Sequence, residues 1–112
     1  MKINILKETP IKETPHKINA KLLYDKSEAQ AIHLELASGE SLIPHITAVD
    51  VFFYVLEGSP EILVGDEKRT VYADSLVESP KNIPHCISNN SDKIARILVV
   101  KTPRTNKKSK FL

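Results

Sequence analysis

Two histidines in this 112-residue chain stand in matching settings, Ile43-Pro44-His45-Ile46 and Ile83-Pro84-His85-Cys86. Each follows an Ile-Pro pair at the start of an apolar run. Imidazole is the commonest metal ligand, and it both donates and accepts hydrogen bonds. Two converging rings could hold zinc, nickel, iron or manganese, or could grip a polar or anionic small molecule. Tight zinc binding usually takes three protein ligands. The pair alone therefore implies a weak, exchangeable metal, and no cofactor is certain. A carboxylate such as Asp50 could add a third ligand, and the 2-His-1-carboxylate pattern of non-haem iron supplies the chemical logic. Its spacing from Thr47, Thr-x-x-Asp, suits the satisfaction of a turn's backbone donors better. Cys86 lies on the face opposite His85 if the strand is regular, and reads as a small packed apolar residue. His16, after Pro15, reads as an exposed loop histidine. His33 falls on the less apolar face of an alternating segment, exposed or at a subunit contact.

These residues need a scaffold, and the rest of the chain reads as strands and turns. Ala29 to Ala37 alternates, with Ile32, Leu34 and Leu36 on one face, as a strand with one buried side does. Val51 to Leu56 is rich in Val, Phe and Tyr, which favour strands. Gly65-Asp66-Glu67-Lys68 marks a hairpin, and Pro44 argues for an edge or irregular strand over Leu42 to Thr47. About ten short strands are expected at spacings of roughly 8–12 residues, from Ile3–Leu6 to Ile94–Val100, with no helical periodicity. An all-β sandwich or barrel is the architecture that fits. Residues 1–16 read as a short strand and extended arm, 17–103 as the barrel and 104–112 as a basic, flexible tail.

The two histidine segments resemble the paired motifs of the cupin superfamily, small jelly-roll (double-stranded β-helix) barrels. Gly39, His45 and Gly58 stand at the first motif's opening glycine, first histidine and closing glycine. Pro80, His85 and Asn89 match the second motif, and Asn82 replaces a glycine where it tolerates positive φ. In metal-binding cupins two histidines and a glutamate of the first motif join the second motif's histidine around one divalent ion. Here Thr47 and Val51 occupy the second histidine and glutamate positions. The resemblance thus implies the barrel and places a pocket inside it, lined by His45, His85, Thr47, Val51, Ile43, Ile87, Phe53 and Val55. It does not imply a complete metal site. A small-molecule binding or sensing module without tight metal is the expected function. A metal-dependent oxygenase or isomerase using His45, His85 and a third ligand, Asp50 or an outside group, is the alternative.

Composition narrows the remaining classes. With 41% hydrophobic and 27% charged residues the chain is ordinary for one globular domain. Its longest apolar run, Val51 to Leu56, falls far short of the ~20 residues of a membrane helix. No signal-peptide pattern opens the chain, and the single cysteine forms no internal disulfide, so a cytoplasmic protein is the expectation. The net charge of +2 owes much to Lys101, Arg104, Lys107, Lys108 and Lys110, and the body is mildly acidic. With no aromatic interleaving beside that basic end, nucleic acid is not an expected partner. Exposed strand edges and the arm suggest a homodimer.

Overall fold

A computed structural model describes residues 1–104. Among the described residues there are nine strands: β1 (Asn19–Lys26), β2 (Ala29–Leu36), β3 (His45–Ile46), β4 (Asp50–Glu57), β5 (Glu61–Val64), β6 (Glu67–Thr70), β7 (Leu76–Ser79), β8 (Pro84–Ser88) and β9 (Ala95–Thr102). They make two antiparallel sheets, ordered β1-β2-β9-β4-β7 and β3-β8-β5-β6. The expected all-β jelly roll is the observed fold. Ile32, Leu34 and Leu36 of β2 are fully buried and meet Phe53, Val55, Ile97 and Ile87 between the sheets. Period-two alternation sorts β9 in the same way: Ala95, Ile97 and Val99 point inward, and the next inward position is Lys101.

The motif residues outside the two histidines are structural. Gly58 has φ +83°, and a Cβ there would lie 2.5 Å from the Ile94 carbonyl oxygen and 2.9 Å from the Ala95 Cα. Both atoms are backbone, so only glycine lets the β4–β5 turn lie against the start of β9. Asn82 adopts φ +64°, the left-handed conformation expected of a residue in a glycine's place. Asn89 is fully buried, and its Nδ2 donates to the Leu36 and Lys93 carbonyls at 2.9 and 2.7 Å. Its backbone pairs with Gly39 and Glu40, which clamps the turn before the first histidine to the end of β8.

Two local expectations change, and the edge or irregular strand expected at Pro44 is found. Ile3–Leu6 is not a strand; a single 3-10 turn spans Leu6–Glu8 instead. Of Leu42 to Thr47 only His45 and Ile46 pair, because Pro44 has no N–H to offer a ladder. Arg104, placed with the tail by its charge, is tied to the barrel: its N–H donates to the Ser27 carbonyl at 3.1 Å and its Nη1 to Asp25 at 3.0 Å. The remainder of the expected tail, 105–112, lies outside the described residues.

Candidate functional site

Strands β3 and β8 are neighbours, and His45 and His85 face each other directly across the ladder. Directly opposed residues carry their side chains on one face. Both rings therefore turn into the barrel, where His45 and His85 are 8% and 3% exposed. Their Nε2 atoms are 3.2 Å apart and the rings meet edge to face.

The partners determine the tautomers of the neutral rings. His45 Nδ1 lies 2.9 Å from the Ile43 carbonyl, an acceptor only, so Nδ1 carries the proton and Nε2 a lone pair. His85 must then donate from Nε2 to His45. The Thr47 hydroxyl, 3.2 Å from His85 Nε2, shares that proton as a second acceptor. His85 Nδ1 is left to accept from Ser79 Oγ at 2.8 Å. A directed chain thus runs Ser79 to His85 to His45 to the Ile43 carbonyl. Phe53 stacks edge-on against His85, with centroids 5.2 Å apart, and holds the ring from its apolar side. Burial, helped by the neighbouring His45 and Lys101, pushes the His85 imidazole down to about 4.

A third histidine joins from the arm. His16 is buried, not an exposed loop residue: its Nδ1 accepts the Ile43 N–H at 2.7 Å, and its ring lies 5.3 Å from that of His45. Burial first, then His45 and Lys101, lowers it to about 4 as well. Lys101 is the fourth member. It sits on β9 directly opposite Val51 of β4 and is 2% exposed. Desolvation, with Lys12 nearby, lowers its ammonium to about 8. The interior place beside the missing glutamate position thus carries a base.

The other expected site residues separate clearly. Thr47, Val51 and Phe53 line the small cavity that His45, His85 and Lys101 share. Ile43 does not: it is 43% exposed and contributes only its backbone. Ile87 and Val55 are fully buried core residues outside the cavity lining. Asp50 is exposed, and its carboxylate accepts from the Lys81 N–H at 2.9 Å. It braces the loop before β8 rather than a Thr47 turn, and it faces away from the histidines because adjacent strand residues point to opposite faces. Cys86 is buried, with its thiol 3.2 Å from the Leu42 carbonyl. His33 is buried too, on the other face of the five-stranded sheet, where it accepts from Arg96 Nε at 3.2 Å.

The donor set does not suit a divalent cation. The site holds three imidazoles, two hydroxyls and a buried ammonium, but His16 Nδ1 is taken by the Ile43 N–H, and among the described residues no group of three or more His, Cys, Asp or Glu is arranged to hold an ion. A cation would also have to break the His85–His45 hydrogen bond and sit close to Lys101.

A family model described as "Cupin domain" matches residues 32–101. The chain is a cupin. The match begins inside β2 and ends at Lys101, so it contains His45, His85 and the lysine but not His16. Among curated proteins no sequence match is found. A solved structure from Thermus thermophilus is 26% identical, covers 94% of this chain and 100% of its own, and superposes with a TM-score of 0.80. The polyketide cyclase RemF of Streptomyces resistomycificus is 21% identical (96% and 82% covered, TM-score 0.82). A predicted oxalate decarboxylase of Thermotoga maritima is 15% identical (91% and 99% covered, TM-score 0.83). At these identities the last two show a shared barrel. Among the described residues no helix of this cupin is long and apolar enough to cross a membrane.

Proposed function

We propose that this cupin is a small-molecule binding module whose polar contacts are His45 and His85, working without a tightly held metal. One observation supports this most: the histidine pair lies inside the barrel and is built into a directed hydrogen-bond chain, while among the described residues no carboxylate lines their cavity. Burial holds the His85 ring neutral and the Ile43 carbonyl orients His45, so an entering ligand would exchange hydrogen bonds with the pair inside the barrel. The structural neighbours carry names as different as cyclase and decarboxylase, so the barrel itself assigns no reaction.

Calorimetry across small acids, sugars and autoinducer-like compounds, with metal analysis of protein purified without added metal, tests this reading. The expected result is a ligand whose affinity falls at least roughly tenfold in His85→Ala, as loss of a buried hydrogen-bonding partner implies, with metal content well below one per chain. A full equivalent of metal that disappears in His45→Ala would overturn it in favour of a metalloenzyme.

We also propose that the cupin is a homodimer through the outer face of its five-stranded sheet. Phe52 pairs with Val100, and Tyr54 with Leu98 and Leu76, so these side chains form an apolar patch with Glu78, opposite Phe52, at its edge. None is buried, and Leu76 is 52% exposed. Such a patch is self-complementary across a two-fold axis. Sedimentation should show a dimer at micromolar concentration that dissociates in Leu98→Glu. A monomeric wild-type protein would refute the interface.

A further inference from the structure

The cavity between His45, His85, Thr47 and Lys101 measures about 10 Å³, roughly the space of one water. Its remaining walls are apolar, and no carboxylate lines it. We propose that this cavity is an anion site, in which one carboxylate oxygen or one halide-sized ion sits between the Lys101 ammonium and the His45–His85 pair, and that the ligand of the module is accordingly a small monocarboxylate. This rests on the reading of the pair as a binding site and adds the charge of what is bound.

Three features carry it. The first is position: Lys101 occupies an inward place on β9, opposite Val51, so its chain is committed to the interior and cannot swing to solvent as an exposed lysine would. The second is imbalance. The groups that face it are Lys12 and His16 from the arm, His45 from β3 and His85 from β8, and the charge interaction on it comes from Lys12, not from an acid. No salt bridge to Lys101 forms among the described residues. A buried ammonium without a counter-charge is costly, and an entering anion relieves that cost. The third is size. Only a single atom fits beside the ammonium, which suits a halide or one oxygen of a carboxylate and excludes a sugar ring seated at the histidines.

The affinity of such an ion depends on the ammonium remaining protonated. Lys101 loses its proton at about pH 8, so binding should be steady around neutrality and weaken above that, approaching roughly tenfold per pH unit. The test is NMR of isotopically labelled protein in chloride-free buffer, following the imidazoles of His45 and His85 while formate is added. Acetamide, uncharged and of similar size, is the second probe. Saturable shifts with formate, much weaker shifts with acetamide, and at least a roughly tenfold loss of formate affinity in Lys101→Met are expected. Equal responses to formate and acetamide, or undiminished formate binding in Lys101→Met, would overturn the anion site and leave the binding pocket standing. Silence to both probes overturns the anion site as well; the pocket then stands or falls on the calorimetric survey. If Lys101→Met does not fold, the pH series on the wild-type protein decides, because formate affinity unchanged from neutrality to well above pH 8 overturns the proposal by itself.

Discussion

Lys101→Met, measured without added anions at neutral pH, is expected to be more stable than the wild-type cupin by about 2–3 kcal/mol. The figure follows from linkage. Burial moves the ammonium from 10.5 to about 8, and each pH unit of such a shift is about 1.36 kcal/mol, trimmed here for residual access of water. The unfolded chain keeps this proton up to pH 10.5 while the folded chain releases it near 8, so between those values the unfolded state binds more protons. Stability must therefore climb with pH across that window, and the full cost of the charge is present below it. Methionine is close to lysine in length and shape and suits the apolar walls. Replacing buried charge by packed hydrocarbon is often stabilising by a similar amount. For a domain of this size the midpoint of thermal unfolding should rise by roughly 8 °C. The variant should also lose the climb above pH 8 that the wild type shows. A variant less stable than wild type, with the alkaline climb intact, would show that the lysine is not a buried charge. Adding formate should narrow the gap between the two proteins, since a ligand bound only to the folded state stabilises that state.

Lys101 also shows where the sequence was hard to read. Its charge groups it with Arg104, Lys107, Lys108 and Lys110, and charge counted along the chain treats all five as one basic end. Strand periodicity makes the opposite assignment. Ala95, Ile97 and Val99 form the inward row of β9, and one more step of two reaches Lys101. That signal was present in the sequence, but a charged residue at the end of an apolar row is ordinarily taken as the point where the row stops. His16 is a different case. Nothing within Lys7 to Lys17 predicts its burial, because the pocket that receives it is made by the Ile43 backbone and the His45 ring, far away in sequence. Long-range placement of an arm leaves no local period to find. By contrast Gly39, Gly58, Asn82 and Asn89 were legible because each falls at a motif position where the backbone, not the site chemistry, sets the residue type. The first three hold positive φ, and Asn89 caps the turn that follows β8.

The same contrast explains why the fold was plainer than the chemistry. Barrel closure depends on many alternating positions and survives the loss of any one, whereas a metal site depends on the few side chains that touch the ion. Val51 keeps the strand and the barrel while removing the ligand. The sequence shows that removal directly. It does not show that the facing position on β9 carries an amine, because register between β4 and β9 is a property of the folded sheet. The buried amine opposite Val51 is therefore a tertiary fact, and the proposed anion site rests on it.

Acid should destabilise this protein before its carboxylates are protonated. His16, His33 and His85 are each lowered from 6.5 to about 4, chiefly by burial. Neighbouring positive charge adds to the effect: His45 and Lys101 act on His16 and His85, and Arg96 and Lys21 on His33. Here the unfolded chain takes up protons below pH 6.5 that the folded chain refuses until about 4. The stabilisation from keeping these rings neutral is thus complete above 6.5 and is lost as pH falls through that window. Each group can contribute a slope of up to about 1.4 kcal/mol per pH unit. Three together amount to several kcal/mol even after a generous discount, a large part of the roughly 5–15 kcal/mol that holds a domain folded. Urea unfolding at a series of pH values from neutrality down to about 4.5 should show stability falling steadily below 6.5. His33→Gln keeps an acceptor for Arg96 and lies on the sheet face opposite the histidine pair, so it should remove about a third of the slope while leaving formate binding intact. A flat profile through this window would mean that water or a rearranged ring relieves the buried histidines, and it would remove the basis for treating His85 as a neutral donor in the pocket.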